Sequence, residues 1–282
     1  MKQFTYKQAL IYGSKLLKKA RVDEPILSAR LLLQYATSLN HTSLLATYHK
    51  PILRENFDYY KYLLKRRARH EPLPYILGYH YFMDFMLLVK PGVFIPRPET
   101  ETLVEVAIKK LSDKEGLVID IGTGTGAIAI GIARFRPKLR VLGIDINRKA
   151  IALARQNARL NGVGDRVEFR YGNVKDAKLP PAIALVSNPP YIASSHIPKL
   201  PIQIRLYEPY EALNGGEDGL DLIKVIIERG KEILLPGGFL ILEVGEGQSE
   251  TVKDLLLKNG YWDVEVYKDL LKIERVVAGI KK

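Results

Sequence analysis

Residues 117–133 read LVIDIGTGTGAIAIGIA, and this is the most informative stretch of the sequence. An apolar run of strand type, Leu117–Ile121, leads into a loop with glycine at every second position. Ala127–Ala133, a run of small residues that favours a helix, follows the loop. Glycine lets the backbone turn sharply and lets a ligand approach the main chain with no Cβ in the way. A strand, a glycine loop and a helix in this order predict a ligand-binding turn in an α/β protein.

The alternation of strands and helices continues toward the C-terminus. Six further runs are predicted as strands: Val141–Ile146, Val167–Tyr171, Ala184–Ser187, Phe239–Val244, Val264–Tyr267 and Arg275–Ala278. Helical patterns fill most of the gaps, at Lys149–Asn161, Gly219–Leu235 and Ser249–Asn259. Short strands separated by helices of ten or more residues indicate βαβ units. We therefore predict an α/β fold with a mainly parallel, twisted sheet of seven strands.

The spacing of the glycine loop favours S-adenosylmethionine over a dinucleotide. The dinucleotide fingerprint is G-x-G-x-x-G, whereas this loop is G-x-G-x-G and has Asp120 two positions before it. S-adenosylmethionine has no pyrophosphate, but it has an ammonium group that Asp120 could bind directly or through water. Asp145 follows Gly126 by nineteen residues, at the end of the next strand, where a carboxylate can accept hydrogen bonds from both ribose hydroxyls. A dinucleotide site and a tight turn without a ligand stay open as alternatives.

Further cofactor contacts are expected around the same crevice. The N–H groups of the loop suit the remaining polar atoms of the cofactor. Asn173 and Val174 follow the third strand, where they could meet the edge and the face of an adenine, although Asn173 could equally be a turn residue. The predicted cofactor-binding residues are Asp120, Gly122, Thr123, Gly124, Thr125, Gly126, Asp145, Asn173, Val174 and Asn188.

A second motif, Asn188-Pro189-Pro190-Tyr191, directly follows the strand Ala184–Ser187. Open α/β sheets build their ligand crevice at this end of a strand. Asn188 Oδ1 and the Pro189 carbonyl could accept the two N–H bonds of a planar amide or amine nitrogen, while Tyr191 packs against its flat face. Both acceptors would stabilise the positive charge that develops as a methyl group arrives. We predict these four residues as the catalytic and substrate-binding site; the alternative is a proline-stiffened loop capped by Asn188.

The chain of 282 residues is long enough for two domains, and its composition limits its surroundings. It has no cysteine, which excludes disulfides and thiolate metal sites, and its five histidines show no metal-ligand spacing. No run reaches about 18 apolar residues, the length of a membrane span, and the N-terminus lacks the apolar run of a signal peptide. We therefore expect a cytoplasmic protein with no membrane partner. The net charge of +12 indicates either an acidic partner or a basic solvated surface.

The first 75 residues predict a small helical bundle, and a connector follows it. Pro51–Glu71 has helical spacing, and Asp23 is expected to cap a helix with Pro25 in its first turn. Two short β-prone runs between prolines and glycines, Tyr79–Met86 and Leu87–Ile95, predict a hairpin-like connector. The predicted domains are a helical domain at 1–75, a connector with a β-hairpin at 76–97 and an α/β domain at 98–282.

Several motifs together resemble the HemK-type release factor glutamine methyltransferases, also called PrmC. The matching residues are Pro72-Leu73-Pro74-Tyr75-Ile76-Leu77-Gly78, Ile95-Pro96-Arg97-Pro98-Glu99-Thr100-Glu101, Asp120–Gly126, Ser187–Ile192, Tyr207-Glu208-Pro209 and Gly215-Gly216-Glu217-Asp218-Gly219. This resemblance covers nearly the whole chain. It implies a Rossmann-like methyltransferase domain that uses S-adenosylmethionine and leaves S-adenosylhomocysteine, preceded by a substrate-binding helical domain.

The resemblance also implies a substrate and a partner. The substrate is the glutamine of the Gly-Gly-Gln loop in peptide chain release factors, and the product is N5-methylglutamine. A release factor is the expected partner, nucleic acid is not expected, and the chain is expected to be a monomer. Relatives often have Asp at the position of Asn173 and a larger apolar or aromatic residue at that of Val174, so this part of the cofactor site departs from the family pattern.

Two other substrates stay open as alternatives, because the Asn-Pro-Pro-Tyr motif determines the chemistry and not the substrate. DNA adenine-N6 methyltransferases share the motif and flip a base into the same pocket. The positive charge mildly favours them, whereas we find no target-recognition domain after the catalytic region. A glutamine methyltransferase for a ribosomal protein would share both the fold and the motif. Glu243, Glu246 and Glu250 lie near the end of the fifth strand at no diagnostic spacing.

Overall fold

The computed structural model describes residues 4–282, which form two compact units. Residues up to Gly78, together with residues 201–207, form the first unit. Residues 79–200 and 208–282 form the second unit. A short segment from the second half of the chain therefore belongs to the N-terminal unit.

The described residues contain eleven α-helices and nine strands. The helices are α1 (Tyr6–Lys19), α2 (Pro25–Thr37), α3 (His41–Ala46), α4 (Arg54–Arg67), α5 (Leu73–Leu77), α6 (Glu99–Lys110), α7 (Ala127–Phe135), α8 (Arg148–Leu160), α9 (Ile202–Tyr207), α10 (Asp221–Ile233) and α11 (Ser249–Lys258). The strands are β1 (Tyr79–Phe82), β2 (Phe85–Leu88), β3 (Gly116–Ile121), β4 (Leu139–Asp145), β5 (Val167–Tyr171), β6 (Ala182–Ser187), β7 (Leu234–Glu243), β8 (Tyr261–Lys268) and β9 (Glu274–Lys281). Between residues 4 and 282, no helix is both long and apolar enough to cross a bilayer.

The first unit is a helical bundle, α1–α5 with α9, that packs closely around a buried tyrosine. The hydroxyl of Tyr60 in α4 donates a hydrogen bond to the Ala29 carbonyl in α2 at 3.0 Å. A Cβ at Gly13 in α1 would lie 2.0 Å from the same hydroxyl oxygen, so α1 can approach only because this residue is glycine. The tyrosine thus joins α1, α2 and α4.

The start of α2 differs from the prediction. Its N-cap is Glu24, in the left-handed region with φ +47°, and makes no side-chain cap hydrogen bond. The prediction that Asp23 caps this helix is wrong, because Asp23 Oδ2 accepts a hydrogen bond from Gln203 Nε2 of α9 at 3.2 Å instead. Arg67 is buried and donates to Gln203 Oε1 at 3.1 Å. Two side chains of the bundle therefore hold α9.

The second unit contains a seven-stranded sheet in the order β5-β4-β3-β6-β7-β9-β8. The first five strands are parallel, and β9 pairs antiparallel with both β7 and β8. Successive residues point to opposite faces: Val118 joins a core with α6, α7 and α8, and Ile119 joins a core with α10 and α11. The predicted α/β fold with a mainly parallel seven-stranded sheet is confirmed.

The strand order reverses between β3 and β6, which are neighbours although β4 and β5 come between them in the chain. Open α/β sheets bind their ligands outside the carboxyl ends of strands at such a point. Ile121 at the end of β3 pairs with Ser187 at the end of β6. The glycine loop and the Asn188 turn therefore start from adjacent strand ends.

The connector hairpin is shorter than the sequence predicts. β1 and β2 have four residues each, and the chain turns at Met83 and Asp84 rather than near residue 86. The predicted second strand, Leu87–Ile95, ends at Leu88. The Leu88 N–H donates a hydrogen bond to Asn157 Oδ1 at 2.8 Å, and the Leu88 carbonyl accepts one from Asn157 Nδ2 at 3.0 Å, so the Asn157 side chain takes the place of a partner strand. Pro91, which has no N–H, follows soon after.

Candidate functional site

A cavity of about 660 Å³ lies at the carboxyl ends of β3, β4 and β6, wholly within the second unit. Its volume falls within the range of about 300–1,000 Å³ that is usual for small-molecule sites. The walls include Phe94, Pro96 and Thr100 and residues 121–125, 144–148, 172–175 and 188–192. Every predicted site residue lines the cavity except Asp120 and Gly126. Motifs that lie far apart in the sequence thus meet in one cavity.

The glycine loop is held against β4 by its own main chain. Gly122, Gly124 and Gly126 have φ values of +72°, +55° and +85°, in the region that favours glycine. The N–H groups of Gly122 and Thr123 both donate to the Ile144 carbonyl, at 2.9 and 3.0 Å, and the Gly126 N–H donates to the Thr123 carbonyl at 2.8 Å. These N–H groups, which we expected to face a ligand, therefore fix the shape of the loop. Cofactor binding by this loop stays a prediction.

Asp145 is the last residue of β4 and lies on the cavity wall. Its Oδ2 accepts a hydrogen bond from the Gly124 N–H at 2.9 Å, and its Oδ1 accepts one from the Asn147 N–H at 2.8 Å. Burial raises the pKa of the Asp145 carboxyl, and these N–H donors oppose the increase. Each carboxylate oxygen can accept more than one hydrogen bond. Asp145 can therefore still receive a ribose hydroxyl, which stays a prediction.

Asp120 is fully buried behind the cavity wall. Its Oδ2 accepts a hydrogen bond from the Thr123 hydroxyl at 2.6 Å, and its Oδ1 has no hydrogen-bond partner among residues 4–282. Burial raises the pKa of the carboxyl to about 7, although the Thr123 bond lowers it. Thr123 does line the cavity, so it connects Asp120 with any ligand there. The contact between Asp120 and the cofactor ammonium stays a prediction.

Asn173 and Val174, which follow β5, both line the cavity and also make contacts within the fold. Asn173 Oδ1 accepts a hydrogen bond from the Lys175 N–H at 3.0 Å, as in the turn that we kept as the alternative. Val174 is buried in the core beneath the sheet and also reaches the cavity. Sequence reasoning missed Ile146, which lines the cavity and is 55% exposed. The available signal was an apolar residue directly after the strand-end carboxylate Asp145.

Asn188 lines the cavity beyond the end of β6, and a hydrogen bond to a neighbouring side chain holds its amide group. Its Nδ2 donates a hydrogen bond to Thr100 Oγ1 at 2.9 Å. Thr100 lies in the first turn of α6 and is buried. Thr100 takes one N–H of the Nδ2 group, so Oδ1 and the second N–H are the parts of the amide that remain for a ligand. Sequence reasoning treated Thr100 only as part of a connector motif.

Tyr191 lines the cavity, and both ends of the residue are held by neighbours. Its hydroxyl donates to Glu243 Oε1 at 3.3 Å, and its carbonyl accepts from Gln248 Nε2 at 3.0 Å. Burial raises the pKa of the Tyr191 phenol above its ordinary value. Pro189 and Pro190 stiffen the chain between Asn188 and Tyr191. The turn that carries the predicted chemistry is thus rigid on both sides.

Three carboxyl groups lie on the cavity wall or touch a residue of that wall: the buried Asp120 and Glu243 and the half-buried Asp145. Burial raises the pKa of all three, to about 7 for Asp120 and for Glu243. None takes part in an ion pair within the described part of the chain. Carboxyls that are removed from water without an ion pair favour a ligand that brings positive charge. S-adenosylmethionine, with its ammonium and sulfonium groups, fits this cavity in both size and charge.

Solved structures with the same fold are methyltransferases. A methyltransferase from Pyrococcus furiosus matches with a TM-score of 0.53 at 19% identity, covering 69% of this chain and 88% of the other. A ribosomal protein L11 methylase from Lactobacillus delbrueckii matches with a TM-score of 0.51 at 18% identity, covering 69% and 84%. At these identities the likeness concerns the fold alone.

Family models and curated relatives extend the comparison to the whole sequence. Residues 8–78 match the model of the PrmC N-terminal domain, and residues 84–205 match the methyltransferase small domain. A release factor glutamine methyltransferase from Moorella thermoacetica is 39% identical over 99% of both chains. Another from Geobacter sulfurreducens is 37% identical, covering 98% of this chain and 96% of the relative. The resemblance found in the motifs is confirmed, and the chain belongs to the family of release factor glutamine methyltransferases.

Proposed function

We propose that the protein transfers a methyl group from S-adenosylmethionine to the side-chain amide nitrogen of the glutamine in the Gly-Gly-Gln motif of peptide chain release factors. The product is N5-methylglutamine. The observation that carries the proposal is that the glycine loop with Asp145 and the Asn188–Tyr191 turn open into one cavity. A methyl donor and a planar amide can therefore meet there.

The cofactor is held by groups on one side of this cavity. Asp145 accepts the ribose hydroxyls, Asp120 acts on the ammonium group through Thr123 or water, and Ile146 and Val174 pack beside the adenine with Asn173 at its edge. The glycine loop, including Thr125, lies close to the cofactor because it has little side-chain bulk. S-adenosylmethionine supplies an electrophilic methyl group on a sulfonium when it is bound.

The amide is held by the turn after β6. Asn188 Oδ1 and the Pro189 carbonyl accept the two N–H bonds of the substrate nitrogen, and Tyr191 packs on the flat amide group with Pro190. An amide nitrogen is a poor nucleophile because its lone pair is delocalised. The two acceptors orient it and stabilise the positive charge that develops during transfer. Positioning of this kind lowers a barrier by on the order of 7–11 kcal/mol.

The proton is lost after the methyl group arrives, because the new N–C bond makes the nitrogen acidic. A general base is therefore not needed before transfer. Asn188 Oδ1 or the Pro189 carbonyl holds the N–H until water removes the proton. The new N–C bond forms as the methyl–sulfur bond breaks, and S-adenosylhomocysteine leaves with the electron pair on sulfur.

The helical part of the chain serves to dock the release factor. We assign residues 1–75 to substrate binding, 76–97 to the connector with the hairpin and 98–282 to methyl transfer by a monomer in the cytoplasm. Residues 1–78 hold 14 of the 43 Lys and Arg residues but only 5 of the 31 Asp and Glu residues. A basic surface of this kind favours an acidic face of a protein partner.

The experiment that tests this function offers each candidate substrate separately. The full chain is incubated with methyl-labelled S-adenosylmethionine and with intact release factor, ribosomal proteins or duplex DNA. A release factor whose Gly-Gly-Gln glutamine is replaced by alanine is the matched control. We expect label only on the unaltered release factor, on one peptide that contains the glutamine. Label on ribosomal protein or on DNA adenine, with none on the release factor, contradicts the proposal.

A further inference from the structure

We propose that the turn between β8 and β9 is a docking contact for the domain of the release factor that carries the Gly-Gly-Gln loop. That domain covers two adjacent leucines at the tip of the turn, Leu270 and Leu271. The inference rests on the proposed function, because it names a surface that holds the same substrate. Neither leucine lines the cavity or belongs to a motif described above.

The two leucines form an apolar spot in water. Leu270 and Leu271 are 93% and 73% exposed, more than any other large apolar side chain among residues 4–282. Turns usually carry Gly, Pro, Asn, Asp or Ser. Single exposed apolar residues are common, but two adjacent ones at a tip are not explained by packing. The exposed Lys268 and Lys272 flank them, so the spot suits an apolar area of a partner with acidic neighbours.

The turn has a fixed backbone, which one buried side chain at its start holds in place. Asp269 Oδ1 accepts a hydrogen bond from the Ile273 N–H at 3.0 Å, and the Asp269 N–H donates to the Ile273 carbonyl at 2.8 Å. Asp269 Oδ2 forms an ion pair with Arg275 at 3.4 Å. The leucines are therefore presented in an ordered arrangement, and binding there does not have to order a loose loop.

The sheet places this turn at the edge that carries the cavity. β9 runs antiparallel to β7, and Val276 near the start of β9 pairs with Glu243 at the end of β7. Tyr191 lines the cavity, and its Oη atom lies 3.3 Å from Glu243 Oε1. The turn before β9 therefore lies beyond the same strand ends as the Asn188–Tyr191 turn.

The spacing of the strands brings the turn within reach of a protein bound at the cavity. The start of β9 is two strands away from the end of β6, which is roughly 10 Å across the sheet. A stable interface covers about 800 Å² on each partner, a patch roughly 30 Å across. An interface centred on the cavity therefore reaches the turn. The release factor is favoured over a second copy of this chain, because the proposed reaction already brings it to this edge.

The test replaces both leucines in the full chain. Leu270→Ser with Leu271→Ser removes the apolar spot, whereas Leu270→Met with Leu271→Met keeps it. Leu160→Ser with Leu257→Ser is the matched control, because both of these leucines are exposed. They lie near the ends of α8 and α11, which lead back to the starts of β5 and β8 at the opposite edge of the sheet.

The first readout is methylation of intact release factor. We expect kcat/KM to fall about tenfold in the serine pair at 270 and 271, mostly through KM, because two apolar side chains are no longer buried on binding. The methionine pair and the control pair should stay close to the wild type. A short Gly-Gly-Gln peptide should be methylated equally by every variant, which also shows that each one is folded. An unchanged KM for intact factor, or an equal loss in the control pair, overturns the proposal.

The second readout needs no methyl transfer. Titration calorimetry measures binding of a release factor whose Gly-Gly-Gln glutamine is replaced by alanine, and the serine pair should bind it about tenfold more weakly than the wild type. If the wild type binds this factor but transfers no methyl group to the unaltered one, the proposed function fails and the docking contact stands. Equal affinity of the wild type and the serine pair rejects the docking contact and leaves the proposed function intact.

The third readout detects a second copy of this chain on the leucines. Sedimentation of the free wild type should give the same species as sedimentation of the serine pair. A wild-type dimer that the serine pair loses would mean that the leucines bind another copy, and this result would overturn the proposal.

Discussion

Gly124 donates its main-chain N–H to Asp145 Oδ2 at 2.9 Å, so the glycine loop after β3 and the carboxylate at the end of β4 form one structural unit. The Ile144 carbonyl also accepts hydrogen bonds from two N–H groups of this loop, those of Gly122 and Thr123. A change at Asp145 therefore affects the shape of the loop as well as the ribose contact. Cofactor affinity should be sensitive to this residue for both reasons.

Asp145→Ala should weaken S-adenosylmethionine binding by about ten- to a hundredfold, since hydrogen bonds to charged groups contribute about 1.5–3 kcal/mol. Titration calorimetry measures the affinity directly. Asp145→Asn is the matched control, because it keeps one acceptor oxygen for the loop but loses the charge. Affinity equal to that of the wild type in Asp145→Ala would place the ribose elsewhere in the cavity.

Asn188→Ala should lower turnover by about a hundredfold, because it removes one of two preorganised acceptors at the reacting nitrogen. S-adenosylmethionine affinity should change little, since the contacts expected to hold the cofactor lie mainly in the glycine loop and at Asp145. Single-turnover kinetics with saturating cofactor measures the effect. Asn173→Ala is the matched control on the opposite side of the site. Near-normal turnover in Asn188→Ala would contradict the assigned role.

The fold could be predicted from sequence because its signals are local. The apolar run 117–121 ends at glycine, so β3 was located to within one residue, and the ends of β4 and β6 placed Asp145 and Asn188 at one edge. Those two residues reach the same cavity because parallel strands end together. The spacing of apolar residues and the positions of glycine and proline are enough to predict where strands end and which residues follow them.

The supporting contacts could not be predicted, because they join residues far apart in the chain. Thr100 and Asn188 are 88 residues apart, and Tyr191 and Glu243 are 52 apart. No periodic pattern encodes such pairs. Likewise, α9 has no buried residue in its own six positions, so nothing local indicates that it belongs to the first unit.

The stability of the ligand-free protein should depend on pH through Asp120. Burial raises the pKa of this carboxyl from 3.8 to about 7 in the folded chain, so the folded state binds a proton that the unfolded state has lost. The stabilising effect is complete below about pH 4 and is lost as the pH rises through 7. Asp120→Asn cannot titrate. Its melting temperature should therefore rise relative to the wild type between pH 4.5 and about 7.5.

Thermal unfolding across that pH range without cofactor checks the prediction. The quantity to follow is how the difference in melting temperature between the two proteins changes with pH, since any change in the contact with Thr123 adds an offset that does not depend on pH. Thr123→Val is a useful control, because it removes the bond that lowers the Asp120 pKa and should extend the loss of stability to higher pH. A constant difference between Asp120→Asn and the wild type would show that Asp120 has an ordinary pKa.

The excess of Lys and Arg in the helical unit gives the last prediction, on docking. Deleting residues 1–75 is a poor test, because Asp23 and Arg67 also hold α9 through Gln203. Point variants avoid this difficulty. Lys15 and Lys65 are exposed and form no ion pair among the described residues. Lys114 and Lys258 are exposed lysines of the second unit and serve as the matched control pair.

Lys15→Ala combined with Lys65→Ala should lower kcat/KM for intact release factor several-fold at low salt, because positive charges that steer an acidic partner raise its association rate. The loss should shrink as salt is raised, since exposed charges are screened beyond about 8 Å at physiological ionic strength. Methylation of a short Gly-Gly-Gln peptide should not change, because the peptide needs only the cavity. Equal losses in the Lys114→Ala, Lys258→Ala pair would mean that overall charge matters and not the helical unit. Unchanged kcat/KM in the Lys15, Lys65 pair at every salt concentration would remove these two lysines from the docking surface.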